Sequence, residues 1–211
     1  MKIISDFVTL RTEVITMVKS IIDIERQFYT GEELRQAGLS YYKINKLVQE
    51  GLLLKVNNKV YENTNYEGDE SDFSYVKAYI PKGVVCLMSA ARYYDLTTYL
   101  PDRVDVAIER NMKVTTLPSR PNINLVYFSE KRYQQGVDMV NEGGEDIQIY
   151  DIEKTVIDII FYRNKVGIEE TREILNNYLR RSDRNLNRLH RYATELRCEK
   201  ILRTYLEVLI S

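Results

Sequence analysis

Five residues within six positions, Tyr41, Tyr42, Lys43, Asn45 and Lys46, are of the types that touch nucleic acid. Lysine pairs with a guanine edge or a phosphate, and asparagine can bond an adenine edge through both ends of its amide. Ile44, Leu47 and Val48 recur between them at helical spacing, which sets the polar group on the outward face of one helix. Tyr41 is expected to be the more buried of the two tyrosines. Ser40 suits the start of that helix as a cap, and Gly51 suits its stop. A little further on, Lys55, Asn57, Asn58 and Lys59 suit phosphate or minor-groove contact.

A second basic group lies near the C-terminus. Arg184, Arg188 and Arg191 fall at i, i+4 and i+7, with Leu186, Leu189, Ala193 and Leu196 roughly opposite, and Arg180 and Arg181 precede them. From Arg180 to Arg203 there are eight bases and three acids. Arginine binds phosphate well, so a second DNA contact, a patch for an acidic partner and a plain solvated face all stand open.

A third pattern is acidic. A strand through Val104 to Ile108 would put Asp105 and Glu109 on one side, and paired carboxylates can hold a divalent metal, as nucleases and nucleotidyltransferases require. No glycine-serine loop, Asp-x-Asp or Walker sequence accompanies them, and exposed acids on an edge strand are common. His190 is the single histidine, which argues against a Ser-His-Asp triad or a histidine-ligated metal. No catalytic residue, metal site or cofactor is assigned. Cys86 reads as a small buried hydrophobe, and Tyr93, Tyr94 and His190 as structural residues. Two separated cysteines, no secretory leader and no run of membrane-spanning length point to the cytoplasm.

Positioning elements follow from the same residues. Ile3, Phe7, Leu10, Val14, Val18 and Ile21 predict a first helix. Thr30 and Glu33 form a capping-box pair before a short second helix with Leu34 and Ala37 inward. Gly38 and Leu39 fill the turn into the helix of Tyr41. Two extended pieces, Leu52 to Val56 and Lys59 to Tyr61, are joined at Asn57-Asn58, which tolerate the positive φ of a tight hairpin. Three helices and a hairpin in that order predict a winged helix-turn-helix over residues 1–62. Its charge up to Tyr61 is only +2, from nine bases and seven acids, in a chain of net charge −1. A protein-contact role for the same fold therefore stays open.

Glu62 to Asp72 carries five acids and no bases, so residues 63–72 read as a linker, or as a loop within one domain. Residues 73–211 read as mixed: a helix over Val84 to Tyr94, strands at Val104–Ile108, Ile123–Phe128, Val137–Val140 and Ile147–Tyr150, then helices from Asp151 onward. Those helices break near Gly167 and at Ser182-Asp183. The expected class is α+β: a winged helix, then a mixed domain ending in a bundle-like helical region.

The chain resembles the AbiEi family of antitoxin-regulators from type IV AbiE toxin-antitoxin systems of bacteria. The resemblance rests on the helix-turn-helix and wing ending in Val60-Tyr61, on Met88-Ser89-Ala90-Ala91 with Tyr94-Asp95-Leu96-Thr97 and Leu100-Pro101, and on Glu153-Lys154-Thr155-Val156-Ile157-Asp158. The family's usual wing glycine is replaced here by Asn57-Asn58. The resemblance implies repression of the chain's own operon through promoter inverted repeats in double-stranded DNA. It also implies a non-enzymatic counteraction of a nucleotidyltransferase-like toxin without a stable complex, a role in phage resistance by abortive infection. Two alternatives stand beside it: a plain winged-helix repressor whose second domain senses a ligand or partner, and a metal-dependent nuclease or transferase using Asp105 and Glu109.

Overall fold

The structure, a computed structural model, describes residues 22–23, 26–68, 71–142 and 145–210. The expected helix of Ile3 to Ile21 and the Gly143-Gly144 turn lie outside those residues. The fold is mixed α+β, and the chain divides into two compact units, 1–70 and 71–211.

In the first unit, β1 (Phe28–Thr30) leads into α1 (Gly31–Gln36), then α2 (Tyr41–Gln49), β2 (Leu53–Lys55) and β3 (Val60–Asn63). β3 is central and antiparallel to both neighbours. Strand β1 was not anticipated, since three residues are too few to show a periodicity; Phe28 and Tyr29 are nevertheless both buried. The capping box is present: the Glu33 amide donates to Thr30 Oγ1 at 3.1 Å, and the Thr30 amide donates to the Glu33 carboxylate at 2.7 Å. Gly38 takes a φ of +92°, where a side chain would be strained, and lets the chain turn so that Leu39 enters the core. Leu34, Ile44, Leu47 and Leu53 join Leu39 there, each stabilising the unit by roughly 1.5–3 kcal/mol relative to an exposed position.

Two details depart from expectation. Asn57 and Asn58 do not have positive φ. The tip is instead a four-residue loop between β2 and β3, in which Asn57 Oδ1 accepts from the amides of Lys59 (2.8 Å) and Val60 (3.0 Å). The expected linker also starts too early. Asn63 ends β3, buried, with Nδ2 donating to the carbonyls of Asp23 (3.0 Å) and Arg26 (3.2 Å), and Thr64 Oγ1 donates to Gly51 O at 2.7 Å. At the other end, Ser71 already caps the next helix.

The second unit runs α3 (Asp72–Tyr79), β4 (Val84–Val85), α4 (Leu87–Tyr93), β5 (Val104–Glu109), β6 (Ile123–Phe128), α5 (Glu130–Gln134), β7 (Val137–Glu142) and β8 (Glu145–Tyr150). Five helices follow: α6 (Ile152–Phe161), α7 (Arg163–Val166), α8 (Ile168–Arg180), α9 (Leu186–Glu195) and α10 (Glu199–Ile210). The strand order is β6-β5-β4-β8-β7, with β5/β6 and β4/β8 parallel and the other pairs antiparallel. One face of the sheet packs Val106, Ile108 and Ile149 against Val76 of α3 and Ile80 just after it. The other packs Ala107, Phe128 and Tyr150 against Ile157, Tyr178, Leu189 and Leu202 of the later helices. Of the expected helix over Val84 to Tyr94, the first two residues form a central strand. β-branched valines buried on both sheet faces favour pairing there, and Leu87, with φ of +45°, turns the chain before helix begins. Among the described residues no helix is long and apolar enough to cross a membrane.

Candidate nucleic-acid interface

Helix α2 presents a sided surface. Ser40 caps it, its Oγ accepting from the Lys43 amide at 3.4 Å, so this predicted contact residue has a structural role at the helix start. Ile44 and Leu47 face the core, while Tyr41, Tyr42, Lys43 and Asn45 are exposed in the first turn and a half. Tyr41 is the less exposed of the two tyrosines, as expected, at 63% against 77% for Tyr42, and the Arg35 guanidinium lies 5.1 Å from its ring centre. Lys46 is half-buried, with Nζ 4.0 Å from a carboxylate oxygen of Glu50 one turn on. Lys55, Asn58 and Lys59 are exposed on the hairpin, and Asn57 is half-buried with its side-chain oxygen closing the tip. The Gly31 amide donates to Lys59 O at 2.8 Å, which fixes the hairpin against the start of α1. This unit therefore carries both helix and hairpin sets on one small scaffold, with Glu50 beside Lys46 tempering the charge.

The C-terminal arginines do not form one stripe. Asn185 caps α9 through the Arg188 amide, so Arg184 precedes the helix and its guanidinium donates to Arg181 O. Arg181 holds Asp183 with two hydrogen bonds of 2.8 and 2.9 Å and donates to Tyr94 O; the Asp183 bond keeps its pKa above the ordinary value. Arg188 turns inward to the buried Glu153 (3.4 Å) and towards Asp151 (4.0 Å). Arg180 and Arg191 are exposed, the latter with its guanidinium 5.5 Å from the Tyr192 ring centre. Helical spacing in the sequence ran through a turn that the Asn185 cap imposes. His190 is exposed, and Cys86 and Cys198 are buried.

Asp105 and Glu109 do not make a metal pair. Strand β5 lies between β6 and β4 rather than at an edge, and four residues of strand separate the two carboxylates by about 13 Å. Asp105 is 4% exposed and acts within the fold: its oxygens accept from the Met88 amide (3.2 Å) and Asn124 Nδ2 (2.8 Å), with Arg103 Nε 3.7 Å away. Burial holds its carboxyl above the usual range against those partners. Among the described residues no group of three or more His, Cys, Asp or Glu could hold a metal ion. Above Asp105 opens a cleft of about 540 Å³, reached also by Lys165 and Glu170, residues for which the sequence offered no signal.

Deeper in the second unit, Asp158 of α6 is paired with both Lys154, one turn before it, and Arg132 of α5, all three buried. Burial lowers the Lys154 pKa, although Asp158 opposes that shift. Burial also works against charge on Arg132, but Asp158 and Cys198 together outweigh it and hold the guanidinium above its ordinary value. The Lys154 ammonium lies 3.8 Å from the Tyr150 ring centre, and Arg132 lies 3.9 Å from that of Phe161. Gly136 is required beside them, since a Cβ there would stand 2.7 Å from Lys154 Cβ. Beside this cluster, Glu153 accepts from Tyr178 OH (3.1 Å) and the Asn185 amide (2.9 Å), and Asp151 accepts from Tyr192 OH at 2.7 Å. Burial and that carboxylate push the Tyr192 hydroxyl up to about 12. The only sequence trace of the cluster is a lysine and an aspartate four apart in a largely apolar helix.

No family model and no curated protein matches the chain. Among solved structures, one described as the crystal structure of RV2827C protein from Mycobacterium tuberculosis is similar at 13% identity. The match covers 86% of this chain and 76% of that one with a TM-score of 0.46, too loose a likeness to bear on function.

Proposed function

We propose that the first unit is a winged helix-turn-helix that binds double-stranded DNA, and that the chain represses its own promoter through inverted repeats. The observation that carries this reading is the first turn and a half of α2. Tyr41, Tyr42, Lys43 and Asn45 stand exposed there, one short turn after α1 and beside a hairpin bearing Lys55, Asn58 and Lys59. In this arrangement α2 is the recognition helix, its N-terminal side chains reach base edges, and the hairpin lysines meet phosphate. The antitoxin role, against a nucleotidyltransferase-like toxin, rests on the AbiEi resemblance. A plain repressor with a partner-sensing second unit is the other reading, favoured by the cleft above Asp105.

A mobility-shift assay with the full chain and its own promoter region tests DNA recognition. Scrambling the inverted repeats is expected to abolish the specific complex; equal shifts for native and scrambled DNA would refute it. Co-expression with a nucleotidyltransferase-like toxin of the AbiE type separates the two regulatory readings: restored growth supports the antitoxin, and unrelieved toxicity supports the plain repressor.

A further inference from the structure

Among the described residues the five-stranded sheet ends in β6 on one side and β7 on the other, and the two edge strands are built differently. β7 carries Asp138 and Glu142, charges of the kind that keep an edge from pairing with another chain. β6 reads Ile-Asn-Leu-Val-Tyr-Phe, with no charge and no proline, a sequence suited to strand pairing. On an open surface such an edge would be a hazard. Here a cleft of about 540 Å³ runs beside it, lined by Asn124, Leu125, Val126 and Tyr127. Side chains at 124 and 126 point to one face of the sheet, and those at 125 and 127 to the other. A cleft touched by residues of both alternations lies against the main chain of β6 as well as its side chains.

The cleft also carries charge, with one more carboxylate than cation. Asp102, Asp105 and Glu170 line it against Arg103 and Lys165. Arg103 Nε is 3.7 Å from Asp105, and the Lys165 ammonium is 5.7 Å from the Tyr162 ring centre. Each Asp105 oxygen that accepts from Met88 or Asn124 keeps a second lone pair. We propose that the edge of β6 accepts an extended peptide of a partner protein as a sixth strand. One lysine or arginine of that peptide sits against Asp105, between Asp102 and Glu170. Main-chain bonds would hold the segment, and the carboxylates would select it. This inference concerns the second unit alone and is independent of the DNA reading.

Three fluorescein-labelled hexapeptides of alternating threonine and valine test it with the full chain: one with a central lysine, one with glutamate in its place, and the lysine peptide N-methylated at alternate amides. The lysine peptide is expected to bind saturably and slow amide exchange at residues 124–127. The glutamate and N-methylated peptides should each bind roughly tenfold more weakly or worse. A D102N/E170Q double variant, with an unchanged melting temperature, should weaken the lysine peptide selectively. Absence of saturable binding at millimolar peptide, equal binding of the three peptides, or protection away from β6 would overturn the proposal. Concentration-dependent protection of 124–127 without peptide would also overturn it, by showing that a second copy occupies the edge.

Discussion

In the first unit, Lys43 and Asn45 stand exposed on a helix whose other side carries Ile44 and Leu47. In the second, Lys154 and Asp158 also sit on one helix, yet they face each other inside the core, with Arg132 closing the group from α5. The residue types are alike and the energetic consequences are opposite. An exposed lysine costs the fold little, because water still solvates its charge. A buried one is tolerated only with its counter-ion, so its partner becomes part of the structure. A count of basic residues therefore says little about which cations of this chain stand at its surface. Arg188 makes the same point at the boundary, drawn from an expected surface stripe to Glu153.

The contrast can be broken most sharply at Asp158. Asp158→Asn leaves Lys154 and Arg132 buried without a counter-ion and should destabilise the chain by about 3–5 kcal/mol. Urea denaturation measures this, and a loss below one kilocalorie would mean that water reaches the cluster. Asp105→Asn comes next. It deprives the Met88 amide or the Asn124 amide of an acceptor and should cost about 1–3 kcal/mol. Because burial raises the folded-state pKa of Asp105, the folded chain binds more protons than the unfolded one between the ordinary and the raised value. Stability attributable to this group falls as pH rises through that window, and the variant should lose that slope in a pH series of urea melts. An identical slope would assign it elsewhere.

Smaller effects sharpen the same comparison. Thr30→Ala removes the capping box under α1 and should cost about 1 kcal/mol, visible as a lower melting temperature. The smallest change is expected at Lys154→Met. It leaves Arg132 and Asp158 as a matched pair and fills the volume with an apolar chain, so stability should stay within about 1 kcal/mol or rise. A large loss there would make the lysine indispensable rather than merely compensated.

Local signals were legible in the sequence because neighbouring residues create them. The Thr30–Glu33 capping box, the Gly38 turn, the buried face of α2 and strand β6 all follow from spacings of a few positions. What escaped depends on partners distant in the chain. β1 exists because β3 pairs with it; Val84–Val85 is a strand because β5 and β8 flank it. Arg132 meets Asp158 across 26 positions, and the cleft gathers Asp105, Asn124 and Glu170 from separate elements. The supposed pair of Asp105 and Glu109 failed for a local reason, since sharing a strand face four residues apart is not proximity.

The proposal that α2 reads DNA stands or falls with the salt dependence of binding. Binding of the full chain to its own promoter DNA would be followed by fluorescence anisotropy over a salt series, for the native chain and for Lys43→Ala/Lys46→Ala. If both lysines meet phosphate, the variant binds more weakly and the slope of log K against log salt shrinks by about 2. If either reads a base instead, discrimination against scrambled repeats falls while the slope changes less. An affinity, a slope and a discrimination all equal to those of the native chain would contradict the assignment of α2 as the recognition helix.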